Sequence, residues 1–256
     1  MLSGAMIFGL FQFPFEVPKS APTLKEVGVP TQLEAGVGKK EIKLAEVFFG
    51  VEAKKKATEE MIDKKIAYVS TRPAFPASLA VIKKHEKTIK SIAREKGVPE
   101  EVAIGVALLE NGGSETAVSS AGALGVFQLM PATARGLGLT VNKKVDQRKN
   151  PKRNIEAGIT YLKSNYERFG DWGLATWAYH AGEGNVGKAL KIYKQNGGKG
   201  TPTIHKLLSH PQVKKFTKKL NDDSAGYPYK VIATSELFES ASHGASILPG
   251  IIVDRI

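Results

Sequence analysis

The sequence contains no cysteine. Disulfides, a thiol nucleophile and cysteine-ligated metals are thereby excluded, while the compartment is left open. Acid is scarce too: 25 aspartates and glutamates face 37 lysines and arginines, a net charge of +12. Such a balance attracts polyanions, whether nucleic acid or an anionic surface polymer, or it solvates a large lysine-covered surface. Long apolar runs are also lacking. Met1 to Phe15 is apolar and aromatic but too short to span a bilayer. It lacks a basic start, and Lys19-Ser20-Ala21 is a poor cleavage site for a signal peptide. It reads either as an export or anchoring segment or as a hydrophobic arm. There is no Walker lysine motif and no HExxH, and His205 and His210 are not at ligand spacing on one helical face. No metal and no cofactor are expected.

At 256 residues the chain can hold one sizeable domain with extensions. Pro18 to Gly38 is rich in proline, glycine and lysine and reads as a linker. Lys40 to Ser70 is a charged helical stretch that Gly50 interrupts, and Lys54-Lys55-Lys56 reads as a solvated face. Arg72-Pro73 to Pro76 marks a boundary. From Ser78 onward helix follows helix. Leu79, Ile82, His85, Ile89 and Ile92 trace one, with Gly97 as its stop and His85 as a packing or surface residue. Asn154 is expected to cap the helix of Ile155, Ile159 and Leu162, and Asp171 the next one. Leu207 to Leu220 reads as a single helix, and Tyr229 to Leu237 as the last. Gly182 to Gly187 matches GxGxxG, but a helix precedes it where a nucleotide site needs a strand, so the glycines are read as a helix–helix turn.

The stretch with chemistry in it is Leu108 to Arg135. Pro99, Glu100 and Glu101 open an apolar helix, and Asn111-Gly112-Gly113 stops it just after Glu110. A carboxyl at that point is partly desolvated and sits at the negative end of the helix dipole; both effects favour its protonated form. That is the state a general acid requires. A Gly- and Ser-rich segment, Gly112 to Gly125, follows as a hairpin or irregular loop, and Pro131 starts a short helix.

These residues resemble the catalytic domain of soluble-type lytic transglycosylases, whose fold is that of goose lysozyme. The resemblance rests on Glu110, on Ser119-Ser120-Ala121-Gly122-Ala123-Leu124-Gly125-Val126-Phe127-Gln128, and on Met130-Pro131-Ala132-Thr133-Ala134. It continues in Asn154-Ile155-Glu156-Ala157-Gly158, in Ala178-Tyr179-His180-Ala181-Gly182 and in Asp223-Ser224-Ala225-Gly226-Tyr227. It covers roughly Leu79 to Leu237. The chain departs from the family pattern at Asn111 (for Ser), Phe127 (for Met), His180 (for Asn) and Asp223 (for Glu).

The resemblance implies a mainly α, lysozyme-like helical domain with an N-terminal helical extension. The expected divisions are 1–20 as the apolar segment, 21–77 as linker and extension, 78–238 as the catalytic domain and 239–256 as a tail. It further implies peptidoglycan glycan strands as partner, an extracytoplasmic location or a phage virion, and cleavage of the MurNAc-β-1,4-GlcNAc bond. Nucleic acid is not expected as a partner; envelope association through the N-terminal segment is.

Glycosidases commonly set two carboxylates across the bond, yet no acid lies between Glu115 and Asp146. The family solution uses one glutamate, here Glu110, as acid and then as base, with the muramic 6-hydroxyl closing onto C1 to leave a 1,6-anhydro end. By the same resemblance Ser119 and Gln128 line the sugar groove, Asn111 and His180 hydrogen-bond substrate or Glu110, Tyr179 orients Glu110 and Tyr227 closes the groove. Phe127, Trp172 and Trp177 read as core. The alternatives are a hydrolytic muramidase on the same fold and a non-catalytic wall-binding or assembly protein.

Overall fold

A computed structural model describes residues 41–49, 56–220 and 223–242. The apolar segment of residues 1–20, the linker, Lys54-Lys55 and the tail beyond Ser242 lie outside the described residues. The described chain is helical. In order come α1 (Glu41–Phe49), α2 (Lys56–Ser70), α3 (Phe75–Lys96), α4 (Glu100–Glu110), α5 (Pro131–Gly136), α6 (Pro151–Phe169), α7 (Trp172–Ala181), α8 (Glu183–Gln195), α9 (Ile204–Ser209), α10 (Pro211–Lys218) and α11 (Tyr227–Ser242). Strand-like pairing among the described residues is limited to isolated bridges, Val118 with Leu124, Leu124 with Leu129 and Val141 with Asp146.

The middle of the fold is α4, every residue of which from Val102 to Glu110 is buried. This follows from a sequence that is apolar on all sides, so the helix is stable only when surrounded. It packs against α11 on one side and α3 on another, and α11 also covers α2. Gly105 permits the close α4–α11 crossing: a Cβ there would lie 2.4 Å from the Val231 carbonyl oxygen. The Thr234 hydroxyl donates to the Gly105 carbonyl across the same contact, at 2.8 Å. Trp177, Phe127, Phe48 and Phe238 are fully buried around this axis. Each such side chain contributes about 1.5–3 kcal/mol through burial.

Helix ends follow local chemistry. Gly97 closes α3 in the left-handed conformation (φ 65°), with Val98 N–H donating to the Ala93 carbonyl. Asp171 caps α7 as expected, accepting from Leu174 N–H at 2.7 Å. GxGxxG is a helix junction, with Gly182 at φ 83° between α7 and α8.

Three boundaries differ from the sequence reading. First, α6 starts one turn earlier, at Pro151, and Asn150 is its cap, accepting from Arg153 N–H. Asn154 is therefore inside the first turn and its side chain is available for another purpose. Second, Leu207 to Leu220 is not one helix: His210 is extended (φ −66°, ψ 129°) ahead of Pro211, the conformation a following proline imposes, and this splits α9 from α10. Third, α11 runs from Tyr227 to Ser242, longer at both ends than Tyr229 to Leu237.

Candidate active site

Glu110 is the last residue of α4, and only 7% of it is exposed. The carbonyls at the end of a helix have no partners within it. Here Arg72, from the turn between α2 and α3, and Ser78, from the first turn of α3, supply two. Arg72 donates to the Leu109 carbonyl at 3.1 Å, and the Ser78 hydroxyl donates to the Asn111 carbonyl at 2.7 Å. Arg72 thus sets a cation at the negative end of the α4 dipole, next to Glu110.

The Tyr227 hydroxyl, at the start of α11, donates to Glu110 Oε1 at 2.6 Å. No hydrogen bond from the described residues reaches Oε2, which leaves that oxygen to carry the proton. Burial pushes the Glu110 carboxyl up from the ordinary 4.5 to about 7, against the opposing pull of the Tyr227 hydrogen bond and the charges of Arg72 and Lys230. Burial and the neighbouring Glu110 hold the Tyr227 phenol well above its usual range, so it remains a donor. The charged groups acting on Glu110 are both cations.

Beside Glu110 runs the small-residue loop 112–130, and the structure shows what holds it. Asn154 is fully buried: its Oδ1 accepts from Phe127 N–H at 2.8 Å, and its Nδ2 donates to the carbonyls of Leu124 and Arg148 at 2.9 and 3.1 Å. Arg148 donates to the carbonyls of Gly122 and Leu129, both at 2.8 Å, and is itself held by Asp146 through two hydrogen bonds of 3.0 and 2.7 Å. The chain passes so close to Asn154 at Gly125 (φ 93°) that a Cβ there would lie 2.3 Å from its Nδ2.

The other expected site residues are placed as follows. Asn111 is fully buried and turned into its own loop, accepting from Gly113 N–H and donating to the Ser114 carbonyl. The expectation that it contacts substrate or Glu110 is corrected, because both amide atoms are used in the turn that ends α4. Ser119 is buried, and its Oγ accepts from Ala123 N–H at 3.0 Å. Gln128 has a positive φ of 44°, and its amide nitrogen donates to the carbonyls of Ala117 and Gly125. Its Oε1 is buried with no hydrogen-bond partner. Tyr179 donates to the Phe127 carbonyl at 2.5 Å. The orienting bond to Glu110 expected of Tyr179 is made by Tyr227 instead. The His180 ring stacks on Tyr227, centroids 4.4 Å apart and planes 12° from parallel. Phe127 and Trp177 are fully buried and Trp172 nearly so, in keeping with a core role.

Arg72, Lys230 and Arg148 carry no local signal that ties them to this arrangement, and Asp223 stands in the late motif of the sequence without an expected role. Asp223 bridges Lys65 of α2 and Lys230 of α11, 2.9 Å from each. Among the described residues no group of three His, Cys, Asp or Glu side chains is placed to hold a metal ion, and no helix is long and apolar enough to cross a membrane.

Residues 87–201 match the family model described as Transglycosylase SLT domain. This stretch, a little under half of the chain, is similar to that family's domain. A transglycosylase of Enterobacteria phage PRD1 is 35% identical over 109 residues, which are 42% of this chain and 39% of the relative. The membrane-bound lytic murein transglycosylase D of Escherichia coli (strain K12) is 28% identical over 157 residues, 61% of this chain and 32% of the relative. The chain thus spans about a third to two fifths of the length of these relatives. Its fold is similar to that of the 70 kDa soluble lytic transglycosylase of Escherichia coli, with a TM-score of 0.51 and 18% identity over 85% of this chain and 38% of the other. The mainly α, lysozyme-like architecture expected from the sequence is the one found.

Proposed function

We propose that this chain is a peptidoglycan lytic transglycosylase in which Glu110 is the only titrating group of the reaction. The observation that carries this reading is the state of Glu110: nearly dry, bonded by Tyr227 through one oxygen and raised to about 7. A group poised there is protonated in part of the population at neutral pH and is still a competent base once the proton has left.

In the first step Glu110 gives its proton to the oxygen between MurNAc C1 and GlcNAc C4, and the C1–O bond breaks. In the second, the Glu110 carboxylate takes the proton of the muramic 6-hydroxyl as O6 bonds to C1. The enzyme regains its starting proton, no water is consumed, and the products are a 1,6-anhydro end and a GlcNAc hydroxyl. Closure within one sugar has the proximity advantage of an intramolecular reaction. Arg72 and Lys230 stabilise the carboxylate between the two steps, and Tyr227 fixes its direction. The second-carboxylate solution of ordinary glycosidases finds no support in the groups that act on Glu110.

In this reading the wall of the groove is the loop 112–130, whose rigidity comes from Asn154 and Arg148. Gln128 Oε1, buried and without a partner, becomes an acceptor for an N-acetyl N–H or a sugar hydroxyl when its side chain turns toward the groove, Ser119 offers its hydroxyl proton, and the His180–Tyr227 stack presents a flat polar edge. Glycan strands are the partner and the envelope or a virion the location. The names of relatives such as the murein transglycosylase above support this. The test is release of soluble muropeptides from purified peptidoglycan. Wild type should release them and Glu110→Gln should release at least about a hundredfold less, in line with the loss of a general acid–base. Equal release by both proteins would remove Glu110 from the chemistry.

A further inference from the structure

The charge of this chain is not evenly spread. Between Gly184 and Asn221 there are nine lysines and no aspartate, glutamate or arginine, against a net charge of +12 for the whole sequence. All nine are exposed. None makes an ion pair among the described residues, and the stretch has no carboxylate of its own to supply one; outside it some lysines are matched, as Lys65 is by Asp223, Lys84 by Glu115 and Lys90 by Glu86.

The fold gathers these charges into one lobe. On α8, Val186, Ala189 and Tyr193 are buried, and Lys188, Lys191 and Lys194 step along the open side every three residues, about 4.5 Å apart along the axis. On α10, Val213 and Thr217 face inward, and Lys214, Lys215 and Lys218, with Lys219 just past the helix end, lie outward in pairs four apart. α8, α9 and α10 pack on one another. Like charges three and four residues apart repel, so the lobe is a liability in isolation that a polyanion relieves.

We propose that the α8–α10 lobe is a docking surface for a wall-borne phosphodiester polymer of the poly(glycerol phosphate) kind. The chemistry selects the partner. Exposed large apolar side chains among the described residues are Val47, Met61, Tyr68, Val118 and Val145, none of them in the lobe. That leaves nothing to insert into a membrane and no open aromatic face to stack a base. The absence of arginine removes the bidentate fork that grips a carboxylate, a phosphate or a base edge in one fixed geometry. What remains is a set of mobile point charges, suited to a flexible chain of spaced phosphates without a fixed shape. The choice of a wall source rests on the proposed function, since a protein that works on wall glycan meets such polymers beside its substrate. Docking there would hold the protein at its substrate between cleavage events.

The test is cosedimentation of the intact chain carrying Glu110→Gln, which leaves walls uncut, with purified bacterial walls that carry poly(glycerol phosphate) and with the same walls chemically stripped of it. Binding should fall at least about tenfold on stripping, and should weaken steeply as salt rises from about 50 to about 200 mM. Combined Lys214→Gln, Lys215→Gln, Lys218→Gln and Lys219→Gln should bind intact walls about as weakly as its parent binds stripped ones. A control with Lys87, Lys143, Lys144 and Lys152 changed to Gln carries the same net charge and should lose less than about twofold. Circular dichroism verifies that both variants are folded. Equal binding to intact and stripped walls, or equal loss in lobe and control variants, overturns the proposal. So does binding to duplex DNA alone. Binding is read without turnover, so a failure here is separate from a failure of the cleavage reaction.

Discussion

The raised carboxyl of Glu110 has a consequence for stability that needs no substrate. In the unfolded chain its proton is held with the ordinary value of 4.5, and in the folded protein with a value of about 7. The folded state therefore binds this proton more tightly. Its contribution is fully favourable at pH values below 4.5 and is lost as pH rises through 7. The difference of about 2.5 units corresponds to about 3 kcal/mol of destabilisation by the ionised carboxylate at mildly alkaline pH. Glu110→Gln retains the acceptor for the Tyr227 hydroxyl and has nothing to ionise.

The substitution should thus change relative stability with pH. Urea denaturation of both proteins at about pH 4 and about pH 8.5 should show the variant gaining about 3 kcal/mol on wild type between the two conditions. In thermal melts this is a relative gain of about 6–12 °C. Asp171, whose carboxyl burial raises to about 6, titrates in both proteins and cancels in the comparison. A pH-independent difference would mean that Glu110 is solvated in the folded state, and the argument for a poised acid would collapse.

Other changes act on the surroundings of the acid. Tyr227→Phe removes the hydrogen bond that lowers the Glu110 carboxyl; the alkaline limb of the pH–activity profile should move upward and the fold lose about 1 kcal/mol, and an unshifted limb would show that the tyrosine does not act on the carboxyl. Asn154→Ala leaves the Phe127 N–H and two loop carbonyls without their partner; a loss of about 2–3 kcal/mol is expected, together with faster amide exchange in 122–128, and protection like that of wild type would contradict the clamp. Gly158→Ala puts a methyl 2.4 Å from Phe127 Cγ; melting should report a loss of about 1–3 kcal/mol from overpacking, and a neutral result would mean the contact is loose.

The parts of this fold that could be read in the sequence are those set by neighbours along the chain. The apolar run ending at Glu110 predicts both the buried helix and the dry carboxyl, because every turn of α4 needs cover. The glycines between Gly112 and Gly125 predict an irregular wall, and Asp171 predicts the start of α7. At the start of α6 two caps compete. Asn154 is a good cap by composition, but Asn150 followed by Pro151 is better, and the displacement hid the buried clamp on the loop. His210-Pro211 breaks a helix whose apolar spacing continues through it.

What could not be read is what distant elements bring together. Arg72 looked like a residue at a boundary, yet it caps α4 and acts on Glu110 from the α2–α3 turn. Lys230 and Asp223 reach the same neighbourhood only because α11 lies along both α4 and α2. Tyr179 is the tyrosine expected to orient Glu110 and Tyr227 the one expected to close the groove, and nothing local decides which hydroxyl bonds the carboxyl. Asn111 looked like a polar residue facing the groove because it follows the acid directly; the backbone turns there and takes it inward.

In the proposed reaction one carboxyl, acting twice, transfers a sugar onto its own 6-hydroxyl. The most direct measurement is digestion of purified peptidoglycan in heavy-oxygen water by wild type and Glu110→Gln, with products read by mass spectrometry. The account predicts 1,6-anhydro ends free of solvent oxygen from wild type and none from the variant. Reducing ends that carry solvent oxygen would contradict it and make the domain a hydrolase.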